Sequence, residues 1–511
     1  MDNHIGEIRL FAGSYAPPGW APCSGQQLRI AHEADLFSVI GATFGGDGHS
    51  TFALPDLRGR VPVHLGAQYA LGQRGGAESV ALTVDNLPPH THAVAASAQS
   101  AAQADPAGVA WAASAELLPY ASAPAAAMAA GAIGSAGGGA AFGNMQPWRA
   151  LNFCIALDGA KPGEALAAQL LGEVRLFAFG QTPARWLRCD GQVLPIASVA
   201  GLFPLIGTLY GGDGRQTLAL PDLRGRAAMH PDAAHPLAWR GGEAAHTLTQ
   251  AEMPMHTHKP LCSTGGAQVA QPAGNTWAKG GKNAYAKAQP GAAMHADALM
   301  QIGSGQPYDA MQPWLGLNHC IAIDGENSHS VEPWLGEIRL FAGQKAPDGW
   351  MPCDGQTLRT AAHGALFSVI GATYGGDGKT TFALPDLRGR VPIHQGQGAG
   401  LSPRALGEGG GAAVNTLTEE NLPPHTHAAR CGSKPENASP AGRVWSATAV
   451  TDGLKGEPLY AKAENLTSMA AGLIGSAGGG QPVSNLQPSL ALQFIIAVEG
   501  LWPNPPAQVQ P

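Results

Sequence analysis

Histidine carries the most suggestive chemistry in this chain. A His-Thr-His tripeptide occurs three times, as His90-Thr91-His92, His256-Thr257-His258 and His425-Thr426-His427, at spacings of 166 and 169 residues. Each copy follows a proline-bearing lead-in: Leu87-Pro88-Pro89, Met253-Pro254-Met255 or Leu422-Pro423-Pro424. Proline fixes its own φ and pushes the residue before it into extended backbone. Extended backbone puts residues i and i+2 on one side. Each copy therefore offers two imidazoles facing one way, and three copies offer six. Neutral imidazole ligates zinc, iron, nickel and copper. Three equivalent segments packed about one axis would aim six nitrogens at one point, an octahedral set for one divalent transition metal ion. Structural zinc usually takes four ligands, so iron(II) and nickel(II) stand beside zinc on coordination number alone. Catalytic metals keep an open position for water or substrate. Six protein ligands leave none, so the expected role is a clip whose binding energy counts as assembly energy.

The elements that must bring these histidines together repeat with them. Internal repetition divides the chain into residues 1–165, 166–330 and 331–511. Each repeat opens with Gly6-Glu7-Ile8-Arg9-Leu10-Phe11 or its counterparts at 172–177 and 336–341, an alternation that predicts a half-buried strand. Trp20, Trp186 or Trp350 follows, with a cysteine three residues later. A short helix is expected at 36–41, 202–207 and 366–371, stopped by its final glycine. The Gly-Gly-Asp-Gly segments at 45–48, 211–214 and 375–378 lack the further oxygen ligands of a calcium loop and read as tight turns with glycine at positive φ.

Residues 51–64 recur at 381–394 with only Val63/Ile393 changed, and the second repeat keeps Leu-Pro-Asp-Leu-Arg-Gly-Arg at 220–226. The Asp and Arg two apart, as in Asp56 and Arg58, read as bidentate pairs that fix loops and contacts. His64, His230 and His394 close these segments and read as packing histidines, with a second axial metal as the alternative. After each His-Thr-His come residues 93–143, 259–310 and 428–485, rich in Ala, Gly, Ser and Gln. No 3.6-residue period persists there, so long loops with short strands are expected, displayed for recognition. The copies rejoin at Met145-Gln146-Pro147, Met311-Gln312-Pro313 and Leu486-Gln487-Pro488 and close on apolar runs at 151–157, 317–323 and 492–498, which suit strands buried on both faces. The expected fold is mainly β, with long loops and short helices, its three tandem repeats forming a pseudo-threefold single-chain trimer.

Composition narrows the function. Charged residues make up 13% and the formal net charge is −7, so no basic footprint for nucleic acid is present. No apolar run is long enough for a membrane span, and the N-terminus shows no signal peptide. Release by lysis, within a particle, or by a leaderless route is expected. Seven cysteines in unmatched sets argue against a disulfide framework and read as buried free thiols. Neither a Gly-x-Ser-x-Gly elbow nor a His-Glu-x-x-His motif occurs.

Taken together, Gly-Gly-Asp-Gly, Phe-Ala-Leu-Pro-Asp-Leu-Arg-Gly-Arg, Leu-Pro-Pro-His-Thr-His, Asn-Met-Gln-Pro and Leu-Asn-Phe-Cys-Ile-Ala-Leu resemble the phage tail collar domain, closest to the branch named microcystin-dependent proteins. The resemblance covers all three repeats. It implies a likeness to the receptor-binding end of phage short tail fibres, which are intertwined homotrimers whose His-x-His pairs hold one axial ion, zinc in that case. Carried over, that role falls on His90, His92, His256, His258, His425 and His427. It also implies a non-enzymatic adhesion or structural protein on a virion tail or a cell surface, with surface polysaccharide or fibre and tail subunits as partners. The fusion of three domains departs from the usual single domain per chain and predicts a monomer in solution that stacks end to end. The alternative function is a metal-dependent hydrolase or depolymerase of surface polysaccharide.

Overall fold

The computed structural model describes residues 3–503 except 15, 98, 123–124, 130–131, 167–168, 287–289, 295–297, 326–331, 433, 441–442, 450–457, 462–465 and 470–472. Its frame is three copies of one strand set about a quasi-threefold axis. The opening strands Glu7–Phe11, Glu173–Phe177 and Glu337–Phe341 pair antiparallel with one another in a closed triangle, with Glu7 opposite Phe177, Glu173 opposite Phe341 and Glu337 opposite Phe11. Each opening strand also pairs antiparallel with the closing strand of its own repeat, Trp148–Ala156, Trp314–Ala322 or Gln493–Ala497.

The start of each closing segment runs parallel to a strand of another repeat. Trp148 aligns with Val391, Trp314 with Val61, and Ser489–Ala491 with Ala227–Met229. The repeats are thus intertwined rather than strung as beads. The closing strands are buried almost throughout, as their apolar runs predict.

The opening strands depart from the half-buried expectation, because all five residues of each are buried. Their Glu and Arg side chains close a ring of alternating charge instead of facing water. Arg9 pairs with Glu7 at 2.5 Å and Glu337 at 3.1 Å, Arg175 with Glu173 at 2.6 Å and Glu7 at 3.0 Å, and Arg339 with Glu337 at 2.6 Å and Glu173 at 3.1 Å. Each guanidinium also lies over an indole, Trp20, Trp186 or Trp350, at 4.9–5.1 Å. Buried charge survives only where it is paired and hydrogen-bonded, and a closed ring leaves no end unpaired.

Local expectations otherwise hold. Helices span Ala34–Ile40, Phe203–Ile206 and Gly364–Ile370, each followed by a glycine with φ between 52° and 57°. In the first Gly-Gly-Asp-Gly turn, a Cβ on Gly46 would meet the Phe52 Cα at 2.4 Å. Asp47 Oδ1 there accepts the N–H groups of His49, Ser50 and Thr51, so the carboxylate is used by the turn itself. Arg58 forks onto Asp56 at 2.9 and 3.1 Å, and Arg224 and Arg388 do the same on Asp222 and Asp386. All seven cysteines are free and buried.

One further finding corrects the sequence reading, and another bears out the packing role of three histidines over the axial-metal alternative. The segments after each His-Thr-His build a second core rather than serving only as display loops. Trp111, Trp277 and Trp445 pack mutually at 4.8–4.9 Å, flanked by the buried Tyr120, Tyr285 and Tyr460. The overlooked signals are Pro-Ala-Gly-x-x-Trp at 106–111, 272–277 and 440–445, and Tyr-Ala at 120, 285 and 460. Second, His64, His230 and His394 are ties between repeats, not an axial metal set. Their Nδ1 atoms accept the N–H groups of His319, Phe494 and Phe153. Nε2–H then donates to Asp190 at 2.9 Å from His64 and to Asp354 at 2.7 Å from His230, while His394 Nε2 meets Ser24 Oγ at 3.3 Å.

Two outcomes follow. Glu173→Ala strips Arg175 and Arg339 of their shared carboxylate, so stability should fall by about 3–5 kcal/mol; a loss in urea unfolding below about 1 kcal/mol would mean that the ring relaxes at little cost. Burial holds His394 down to about 4. Above about pH 6.5 neither the folded nor the unfolded chain protonates this imidazole, and its contribution is complete. As pH falls toward 4 only the unfolded chain gains the proton, costing about 2 kcal/mol by pH 5. Ser24→Asp copies the Asp190 and Asp354 ties and should shrink the drop in urea midpoint between pH 7 and pH 5; an unchanged drop would show that the tie does not form.

Candidate metal centre

Each His-Thr-His is held in place by the other two repeats. His90 exchanges backbone hydrogen bonds with Ile302, His256 with Ala477 and His425 with Ala136. The threonine hydroxyls between the histidines turn away and donate to carbonyls of Leu299, Ile474 and Ile133. The six imidazoles lie inward, at 0–5% exposure. Residues i and i+2 share a side, as extended backbone requires, and all six predicted residues come together. An apolar cluster of Leu87, Met253 and Leu422, three residues before each first histidine, adjoins them.

Hydrogen bonding sets the tautomer. In the first histidine of each pair, Nδ1 donates to the carbonyl two residues earlier, Pro88, Pro254 or Pro423, at 2.9–3.0 Å. In the second, Nδ1 donates to a carbonyl of another repeat: His92 to Gly475, His258 to Gly134 and His427 to Met300, at 2.8–3.0 Å. A carbonyl only accepts, so Nδ1 carries the proton and the neutral ring turns a bare Nε2 lone pair inward. Such outer carbonyls orient metal-binding imidazoles. They were not anticipated from sequence, although Ile-Gly-Ser-Ala recurs at 133–136 and 474–477. The second repeat places Leu299-Met300 there and hides the pattern.

The rings form an octahedral set. His90 packs edge-on against His92, His256, His425 and His427, and every ring has the same relation to its neighbours, with centroids 4.7–5.7 Å apart. The pairs left over, His90–His258, His92–His425 and His256–His427, are the three diagonals. Ligating nitrogens of His90, His92, His256 and His427, and of His256, His258, His425 and His427, lie within 4.8 Å of one another.

Electrostatics favour the neutral rings. Burial is the first cause in every case. It brings His90 and His92 to about 4, His258 to about 3 and His427 to about 2, and it lowers His256 and His425. Neighbouring imidazoles lower five of the six further, His256 being opposed instead by Glu419. Bare lone pairs nevertheless meet: His256 Nε2 lies 3.3 Å from His90 Nε2 and 3.0 Å from His425 Nε2. Nε2 of His92, His258 and His427 is buried with no protein partner. Inward acceptors without a donor fit a cation, and the cluster can hold a metal ion.

Comparison with known proteins agrees with this architecture. The phage tail collar domain matches residues 6–62, 172–228 and 336–392. Protein RhiB of Rhizobium leguminosarum bv. viciae is 30% identical over 157 residues, covering 22% of this chain and 72% of that protein. No solved structure matches. The matched segments end before the histidines, so the metal centre rests on geometry alone. With three matches in one intertwined frame, the chain belongs to the phage tail collar domain family and is a tail-fibre-like structural protein.

Proposed function

We propose that this protein is a non-enzymatic, tail-fibre-like head. In it the repeats 1–165, 166–330 and 331–511 do the work of three subunits, and one divalent metal ion on the axis clips them together. The carrying observation is the inward Nε2 set of His90, His92, His256, His258, His425 and His427, made uniform by six outward Nδ1–H donors. Six nitrogens suit an octahedral first-row ion, with zinc favoured by family likeness and iron(II) or nickel(II) equally matched in coordination number. A full shell leaves no site for water, so the ion acts as a structural clip and not as a catalyst. Because one chain supplies all six ligands, the protein acts as a monomeric pseudo-trimer, joining others end to end where it builds a fibre. Its partners are fibre or tail subunits and surface polysaccharide, on a virion tail or outside the cell. No described helix is long and apolar enough to cross a membrane.

Elemental analysis paired with light scattering tests this. The expected result is one metal ion per 52.2 kDa monomer. Three ions per chain, or none after purification and refolding in zinc, iron(II) or nickel(II), would overturn the shared site. Chelation should lower the thermal midpoint and re-addition should restore it, since an ion that binds only the folded state adds RT ln(1 + [L]/Kd) to stability. His258→Ala should lose the ion and the chelator response together, while Thr257→Ser, which keeps the hydroxyl, should retain both.

A further inference from the structure

Each seam where a closing segment runs beside another repeat brings two arginines to one face. Arg60, Arg226 and Arg390 end the recurring Leu-Pro-Asp-Leu-Arg-Gly-Arg segments, one position before the strands Val61–His64, Ala227–Met229 and Val391–His394. A second arginine stands in the row of the residue two positions further on. Between repeats 1 and 2, Leu315 lies between Pro62 and Arg74. Between repeats 2 and 3, Leu490 lies between Ala228 and Arg240. Between repeats 3 and 1 the row reads Pro392, Arg149, Gly409, so the arginine has moved from the flanking strand to the middle one. Residues in one row share a face, and so do residues two apart along a strand. Where glycine takes the place of the flanking arginine, the neighbouring strand supplies one instead.

These arginines are short of partners. Arg60 is only 8% exposed. Nε of Arg60, Arg226 and Arg390 is buried with no partner. Among the described residues, the side chains of these three and of Arg74 and Arg240 make no ion pair and no hydrogen bond. The nearby carboxylates are already engaged. Asp56 is forked by Arg58, Asp222 by Arg224 and Asp386 by Arg388, while Glu78 is taken by Arg404 and Ser402. Arg149 donates Nε–H and Nη1–H to the carbonyls of Asp386 and Gly407, which leaves Nη2. Burial, and then the Arg74 charge, oppose the Arg60 cation; burial, and then Arg390, oppose that of Arg149. Arg74 and Arg240 are exposed, so the pairs can be reached from solvent. Like charges side by side on buried stems are costly without a counter-charge. Their presence at all three seams, once through a relocated residue, marks a place for an anion.

We propose that the arginine pair of each seam binds an oxyanion (phosphate, sulfate or carboxylate), and that the chain thereby grips an acidic surface polysaccharide at three points. Guanidinium forks match oxyanions through two parallel hydrogen bonds. Three weak sites on one rigid frame reinforce one another when their anions sit on one polymer. The polymer as carrier rests on the adhesive reading above; the anion sites do not, and they are separate from the axial metal.

Phosphorus-31 NMR of inorganic phosphate with the full chain tests the sites. Surface plasmon resonance on dextran sulfate, with neutral dextran as the blank, tests the carrier. Saturable broadening of the phosphate line and retention on dextran sulfate alone are expected. Arg74→Gln, Arg240→Gln and Arg149→Leu, the last copying Leu315 and Leu490, should together abolish both signals. Arg74→Gln by itself, at an exposed position, should remove the share of one seam. Lys259→Gln, Lys345→Gln and Lys379→Gln together remove the same charge from exposed positions elsewhere and should leave both signals within about twofold. With the other two seams disabled, Arg74→Lys keeps the charge but loses the fork and should weaken phosphate binding about tenfold. Phosphate binding without dextran sulfate binding would keep the arginine sites and overturn the polymer as carrier. No saturable phosphate signal, or one that survives the triple arginine variant, overturns the sites.

Discussion

The cyclic exchange of strands is the constraint on which the rest of this molecule depends. Each closing segment pairs antiparallel with its own opening strand at one end and parallel with a strand of another repeat at the other. A chain folded this way cannot dissolve into beads without breaking backbone ladders, and buried ladder groups without partners are costly. The exchange also fixes the phase of everything downstream. Once Val61, Val391 and Ala227 are seated beside a neighbour's closing strand, the Leu-Pro-Pro lead-ins and their Met-Pro-Met counterpart enter the axis at equivalent points, and six imidazoles converge without any loop choosing its own course.

Two polar clusters lie buried in this frame and are stabilised by different means. The Glu7–Arg9–Glu337–Arg339–Glu173–Arg175 ring is self-neutralising, since every charge has a partner on each side. The histidine cluster is not, because every lone pair inside it is an acceptor. A ring of mixed sign is complete as protein, whereas a ring of acceptors calls for a cation. That difference explains why the first reads as structure and the second as a binding centre, although both sit near the axis and are equally shielded from water.

Fusing three repeats in one chain frees each copy to diverge while the frame is kept. Ser24 replaces the carboxylate that Asp190 and Asp354 present to the tie histidines. Ser489 replaces an indole, and Trp239 restores it from a neighbouring loop. Ile495 takes the place of Cys154 and Cys320 in the closing strand. A homotrimer must repeat each such change three times about its axis. A single chain makes it once, so that Tyr69 packs on Trp314, Arg404 on Trp148 and His235 on the relocated Trp239.

Much of this was legible in the residues themselves. Repetition and unmatched cysteines are read by comparing the three copies, while turns at Gly46 and its counterparts, glycine-stopped helices, forked Asp–Arg pairs and the inward pairing of His90 with His92 follow from local rules: φ restrictions, period-two backbone and fixed side-chain reach. The reading failed where the decisive partner came from another repeat. Alternation in Gly-Glu-Ile-Arg-Leu-Phe says that Glu7 and Arg9 share a face, but only the closed triangle of opening strands makes that face an interior. His64 shows one imidazole, and only the exchange of strands brings Asp190 to it and takes its Nδ1 lone pair. Trp111, Trp277 and Trp445 are isolated aromatics in weakly patterned segments until three chain passes meet. Sequence by itself determined which side chains are available and which way short segments turn them. The tertiary structure decided what each one faces, because burial and neutralisation here depend on residues more than a hundred positions away.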